Sequence, residues 1–343
     1  MRRLLNTLYV TTEDAYLTEE NGSVVLRQKD KKLGQLPLHI LDNIVLFTYA
    51  GASPALMGEC ARRGIGLSML TPGGKFLCRV NGGSQGNVLL RKEQYRISDD
   101  ETRALSYVRN MILGKVYNAR WVIGRYVRDY PLRVDTEKLN RVIGTLNQRI
   151  QDIRNAESTD RIRGIEGDCA AEYFSAFDDL ILNQKNEFRF TGRSRRPPLD
   201  NVNAMLSYCY TLLAFDCASA LESVGLDAYV GFMHTDRPGR RSLALDLMEE
   251  LRAPVADRFV LSMINQKQIS GRDFKTSADG AVTFSDAAKK LFLTAWQERK
   301  KTTITHPFLH EKVEWGLVPY VQALLMSRCI RGDLEEYPPF MWK

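Results

Sequence analysis

The chain has 343 residues, 44% of them hydrophobic, and a formal net charge of +7 from 48 Lys and Arg against 41 Asp and Glu. That length suits a well-buried core divided over about two domains, and the basic excess favours a polyanionic partner over an acidic one. The six cysteines (Cys60, Cys78, Cys169, Cys209, Cys217 and Cys329) are scattered with no Cys-x-x-Cys pair, which argues against a disulfide frame or a zinc site and for a reducing, cytoplasmic setting.

The first residues, Met1, Arg2, Arg3, Leu4, Leu5 and Asn6, open like a charged leader. Asn6, Thr7, Thr11 and Thr12 break the apolar segment and no small-residue cleavage site follows, so no signal peptide is expected. No apolar run approaches the roughly 18–20 residues that cross a bilayer, so no membrane association is expected. Residues 4–10 and 24–28 read as strands, with Asn21-Gly22 as a hairpin turn between them, because both tolerate positive φ. Residues 44–48 suit a buried strand. Ser53 caps a helix that starts at Pro54 and stops at Gly64. Residues 65–70 and 76–80 form a second hairpin across Thr71-Pro72-Gly73-Gly74, and residues 88–90 add one more strand.

From Ser98 onward a helical period takes over. Val108, Met111, Ile112, Lys115, Val116 and Tyr117 fall on neighbouring faces, and residues 143–150, 169–177, 202–221, 289–297 and 318–326 continue the pattern. Residues 183–198 read as a polar loop. The boundary falls at about residues 93–100. The expected fold class is α+β, with an N-terminal β-rich domain over residues 1–95 and a larger all-α domain over residues 96–343.

Three distant stretches offer the ligands of one metal site: Arg163-Gly164-Ile165-Glu166-Gly167, Gly231-Phe232-Met233-His234 and Asp246-Leu247-Met248-Glu249. Two carboxylates and one imidazole leave open positions on a hard divalent cation, which can activate an oxygen nucleophile and stabilise a phosphoryl transition state. Gly164 and Gly167 flank Glu166 and leave room for a metal or a phosphate. Asp246 and Glu249 share a helical face at i,i+3. Each stretch also has a plainer reading. Glu166 suits a first helical turn, where the macrodipole favours negative charge. His234 suits a hydrogen-bonded core, and Asp246 with Glu249 suits a solvated acidic face partly neutralised by Arg252. Arg189, Arg193, Arg195 and Arg196, with Phe188 and Phe190 among them, and Arg237, Arg240 and Arg241 are candidate phosphate contacts, or solvated loops. Asp200 is placed to cap the helix through Val202. His306 and His310 stand at i,i+4, but Pro307 occupies the position where a zinc protease needs Glu.

Four collinear stretches resemble one family. They are the Arg163–Gly167 stretch with Tyr173-Phe174 after it, residues 196–208, residues 225–234 and residues 246–249. The chain resembles the CRISPR-associated endonuclease and integrase of spacer acquisition, Cas-one, with the look of a type I system, subtype C. The resemblance runs over nearly the whole chain. It implies an N-terminal β-sandwich-like domain, a C-terminal helical catalytic domain and a homodimer formed largely through the N-terminal part. It implies that Glu166, His234 and Glu249 are the catalytic ligands of Mg²⁺ or Mn²⁺, with Asp246 in support. Many members have Asp where this chain has Glu249.

The resemblance also implies a reaction. Two dimers bridged by a Cas-two dimer hold a spacer-precursor duplex, with a Cas-four nuclease as an optional further partner. The duplex's 3′-hydroxyls attack phosphodiesters of the CRISPR array by transesterification. His234 must be neutral to ligate, so activity should fall in acid. The alternatives are a branched-DNA nuclease of repair and a non-catalytic DNA-binding scaffold.

Overall fold

The computed structural model describes residues 7–29, 31–41, 43–71, 76–80 and 88–343. By internal contact the chain forms two compact units, Met1–Gly86 with Lys289–Thr302, and Asn87–Ala288 with Thr303–Lys343.

The first unit carries strands β1 (Thr7–Val10), β2 (Ala15–Glu20), β3 (Ser23–Gln28), β4 (Lys31–Pro37) and β5 (Asn43–Leu46), helix α1 (Pro54–Arg63), and strands β6 (Gly66–Leu70) and β7 (Phe76–Val80). They make two sheets, a four-stranded one ordered β1-β5-β6-β7 and a three-stranded one ordered β2-β3-β4. Strand β2 shows the period of two that buries one face: Ala15 and Leu17 are buried and Tyr16 is exposed. Val10, Leu17, Val24, Ile44, Leu46 and Leu67, drawn from both sheets, share one core with Leu56 and Cys60 of α1.

The local signals act as their chemistry predicts. Asn21 and Gly22 turn β2 into β3 at φ of 51° and 73°. Ser53 Oγ accepts from Leu56 N, Pro54 opens α1, and Gly64 ends it in the left-handed region at φ 70°. Two strand expectations are corrected. The partner of β3 in the hairpin is Ala15–Glu20, whereas Thr7–Val10 runs parallel to β5. Residues 88–90 open a helix, because Leu90, Gln94 and Ile97 are buried at helical spacing. The expected start of the first strand, residues 4–6, and residues 72–74 of the expected turn lie outside the described residues.

The second unit is mostly helical. It contains α2 (Val88–Ser98), α3 (Glu101–Asp129), α4 (Thr136–Arg154), α5 (Thr159–Ser175), α6 (Asn201–Ser223), α7 (Ser242–Glu249), a π-helical turn (Arg252–Asp257), α8 (Arg258–Asn265) and, after α9 (Asp286–Lys301), α10 (Val318–Ile330). Two short ribbons interrupt the helices and had no sequence signal: β8 (Phe274–Thr276) with β9 (Val282–Phe284), and β10 (Thr303–Thr305) with β11 (Lys312–Glu314). Side chains of Asp100, Asp135, Ser158 and Asp200 cap α3, α4, α5 and α6 by accepting backbone N–H groups of the first turn. Helix α6 is long and apolar enough to cross a membrane, with a window of mean hydropathy 1.3, contrary to the reading that no segment reaches that length. It is a core helix here: Leu206, Cys209, Leu213, Cys217 and Leu221 are all buried. Helix α3 packs against α4, α5 and α7, and α7 also packs against α6. That packing brings the three distant stretches near one another.

Candidate metal centre

Glu166 is the eighth residue of α5, a helix that begins at Thr159 under the Ser158 cap. The first-turn reading of Glu166 therefore fails, because the macrodipole acts within the first turn only. A Cβ added at Gly164 or Gly167 would meet nothing within 4 Å, so the helix surface around Glu166 is open. Arg163, three residues earlier, donates to Met233 O at 2.6 Å and ties α5 to the turn that carries His234.

That turn is built around Asp246. The Asp246 carboxylate is buried on α7 and accepts from the backbone N–H groups of Phe232 at 2.7 Å and Met233 at 3.0 Å through Oδ2. Its Oδ1 accepts from His234 N at 3.1 Å and lies 2.5 Å from His234 Nδ1. With Nδ1 held by a carboxylate, Nε2 is the ring nitrogen left to ligate. Gly231 makes this approach possible, since a Cβ there would stand 2.8 Å from Asp246 Oδ2 and 2.8 Å from Ser242 Cβ. Asp246 grips the His234 ring and three backbone amides.

Glu249, the last residue of α7, is buried. Arg252 contacts its Oε1 at 2.8 Å, as the sequence reading allowed, and Lys115 Nζ stands 2.8 Å from its Oε2. The Lys115 ammonium is the partner of that buried oxygen, by charge and by hydrogen bonding. Burial alone would raise the Glu249 carboxyl. The charges of Arg252 and Lys115 and a hydrogen bond from Lys115 outweigh it and hold the group at about 2. The solvated-face reading of Glu249 is therefore wrong. The same Lys115 ammonium contacts Glu166 Oε1. Glu166 and Glu249 are brought together through Lys115.

The donors suit a hard divalent cation: two carboxylates and one oriented imidazole. Among the described residues no three His, Cys, Asp or Glu side chains close on one point. The positive charge between the two glutamates is the lysine. Sequence reasoning placed Lys115 among helical positions without a role. Its signal was a lone charge beside the buried residues Met111, Ile112 and Val116.

The other predicted residues divide. Arg189, Arg195, Arg196 and Arg237 are exposed. Arg193 is turned inward, donating to Asn203 Oδ1 at 2.7 Å and Ser207 Oγ at 3.0 Å and lying over the Tyr210 ring. Arg240 holds Thr235 and Ser242, and Arg241 lies 4.9 Å over the Phe215 ring. Phe188 and Phe190 are buried, so they do not interleave with the surface arginines. His306 is buried against Gln322 and Phe340, and burial lowers its pKa to about 4.

One family, described as CRISPR associated protein Cas1, matches residues 8–298. The chain is 47% identical over 343 residues to the CRISPR-associated endonuclease Cas1 1 of Chlorobaculum tepidum, covering 100% of both chains. In fold it resembles a casposase bound to integration product, with a TM-score of 0.83 at 20% identity over 98% of this chain and 93% of that one. It also resembles a chain of a Cas6-RT-Cas1–Cas2 complex, with a TM-score of 0.83 at 20% identity, covering 100% of this chain and 36% of that one.

Proposed function

The chain belongs to the Cas1 family of CRISPR-associated endonucleases, and on that premise we propose that it is the metal-dependent DNA integrase and endonuclease of spacer acquisition. Glu166, Nε2 of His234 and Oε2 of Glu249 would hold Mg²⁺ or Mn²⁺. Such a cation, when bound, lowers the pKa of an attacking hydroxyl and offsets charge on the attacked phosphate.

The chain's own residues prepare that chemistry. Asp246 fixes the His234 ring with Nε2 as the ligating nitrogen. Arg252 takes one oxygen of Glu249, and the other faces Lys115. Arg163 ties the His234 turn to α5, and Asp246 ties the same turn to α7. The exposed Arg195 and Arg196 are the proposed phosphate contacts, along with Arg189 and Arg237.

The reaction is an exchange of phosphodiesters. The 3′-oxygen of the incoming strand bonds to phosphorus, and the bond from phosphorus to the array strand's 3′-oxygen breaks. The attacking hydroxyl loses one proton and the leaving oxygen gains one. No nucleotide is hydrolysed. With water as the nucleophile the same centre cuts DNA. The proposed partners are double-stranded DNA, a second copy of this chain, a Cas2 dimer and a Cas4 nuclease, in the cytoplasm.

The observation that carries this reading is the meeting of Glu166 and Glu249, from separate helices, on one positive charge beside an imidazole oriented by Asp246. The test is integration of a labelled duplex with free 3′-hydroxyls into a leader–repeat target, with Cas2, in Mn²⁺ or in EDTA. A generic branched duplex runs alongside. Transfer into the leader–repeat target that needs Mn²⁺ is the expected result. Cutting of the branched duplex with no transfer would favour a repair nuclease, and activity indifferent to EDTA would remove the metal.

A further inference from the structure

Lys115 sits on α3, and its side chain is only 14% exposed. A lysine so enclosed loses hydration and rotamer freedom, and it stays charged only where carboxylates offset that cost. Two do so here: Glu166 Oε1 from α5 and, at 2.8 Å, Glu249 Oε2 from α7. The ammonium thus joins three helices at one point. Without it, two carboxylates of like charge would face each other with Glu249 buried, an arrangement that normally forces one group to take up a proton.

The bond to Glu249 is the informative one. Arg252 already contacts Oε1, and Lys115 is the partner of Oε2. Lys115 therefore occupies the oxygen that Arg252 leaves. The oxygens that Lys115 touches, Glu166 Oε1 and Glu249 Oε2, belong to the two carboxylates that a divalent cation would need.

We propose that Lys115 is a tethered counter-ion of the metal centre. It holds Glu166 and Glu249 together while the site carries no metal, and it must leave their oxygens when a divalent cation binds. It is a positioning residue, acting through the two glutamates. The inference rests on the metal-site reading given under Proposed function.

The test is direct Mn²⁺ binding to the full chain, followed by calorimetry and by the electron paramagnetic resonance of free Mn²⁺, with thermal melts run in parallel. Replacing Lys115 by Met removes the charge that competes with the cation. The Lys115→Met protein should bind Mn²⁺ about tenfold or more tightly than the wild type, in keeping with the repulsion lost between neighbouring positive charges. Its melting temperature should be lower without metal and should rise further than that of the wild type on adding Mn²⁺. Lys115→Arg, which keeps the charge, should bind Mn²⁺ like the wild type.

Should Lys115→Met fail to fold, the wild type alone decides the matter. The ¹⁵N resonance of the Lys115 ammonium should shift when Mg²⁺ is added, and an unmoved resonance under saturating Mg²⁺ overturns the proposal. Equal Mn²⁺ affinity in Lys115→Met and wild type, with Glu166→Ala binding less, overturns the role of Lys115 and leaves the metal site standing. Equal affinity in wild type, Glu166→Ala and Glu249→Ala overturns the metal site itself and Lys115 with it.

Discussion

Asp246 Oδ1 lies 2.5 Å from His234 Nδ1 and 3.1 Å from the backbone nitrogen of the same residue, so one carboxylate fixes both the ring and the chain of His234. Its other oxygen binds the amides of Phe232 and Met233. Asp246→Asn turns an amide group toward this set of donors. Leaving one buried donor unpaired costs about 1–3 kcal/mol, read as a lower midpoint in urea. Mn²⁺ affinity should fall by about 10–100-fold, the usual effect of removing a partner behind a ligating histidine. Unchanged affinity would show that Asp246 serves the fold alone.

Gly231 is the position where a single methyl group should loosen the same turn. An added Cβ would meet Asp246 Oδ2 at 2.8 Å and the backbone carbon of Ser242 at 2.9 Å. Gly231→Ala should cost about 1–3 kcal/mol, as overpacking does, and should weaken Mn²⁺ binding along with stability. Gly164→Ala, on an open surface, should leave the melting temperature unchanged or slightly raised. Equal melts for the two variants would contradict the packing argument.

The arginines of the 189–196 segment should separate into two behaviours. Arg193 is committed to Asn203, Ser207 and Tyr210, so Arg193→Ala should lower stability by about 1–3 kcal/mol through its lost partners. Arg195→Ala and Arg196→Ala should leave the melt alone and weaken DNA binding. Each lost phosphate contact reduces the slope of log affinity against log salt by about 1. A salt slope that changes for Arg193 and not for Arg195 or Arg196 would reverse this assignment.

Acid should cost stability through His306. Burial lowers its pKa in the fold to about 4, against about 6.5 unfolded. As pH falls from about 6.5 to about 4, the unfolded chain takes up a proton that the folded chain refuses, and stability is lost over that window. The loss is on the order of 2–3 kcal/mol by linkage. Asp257 acts the other way. Burial raises its carboxyl to about 6, so its contribution is full below about 3.8 and is lost as pH rises through 6. The two windows overlap, so the comparison is between proteins. His306→Asn should show a smaller loss of stability between pH 6.5 and 4 than the wild type, by urea titration at each pH. Parallel curves would contradict it.

How much of the molecule was legible in the sequence follows from how local each signal is. Ser53, Gly64 and Asp200 work on their own neighbours, and all three caps stand where the sequence placed them. Strand β2 was missed because Thr18, Glu19 and Glu20 mask an inner face made of Ala15 and Leu17 alone. The helix through Leu90, Gln94 and Ile97 was missed because Arg91, Lys92 and Glu93 hide its period behind a short apolar run. In the site, Glu166, His234, Asp246 and Glu249 each lie in a recognisable stretch. Lys115 does not, because its meaning lies in an ion pair with Glu166, 51 positions away. The inward turn of Arg193 was unreadable for the same reason, since an arginine's partners are decided by tertiary packing.

The central claim is that Glu166 belongs to the centre that joins DNA strands. The most direct measurement is strand transfer by purified Glu166→Ala protein, with Cas2 and Mn²⁺, into a leader–repeat target. Removing a ligand of a catalytic cation forfeits several kcal/mol of charge stabilisation, so transfer should fall by about 100-fold or more. The melting temperature and duplex affinity should stay close to wild type, because Lys115 and Arg252 still neutralise Glu249. Wild-type rates of transfer by Glu166→Ala would contradict the account.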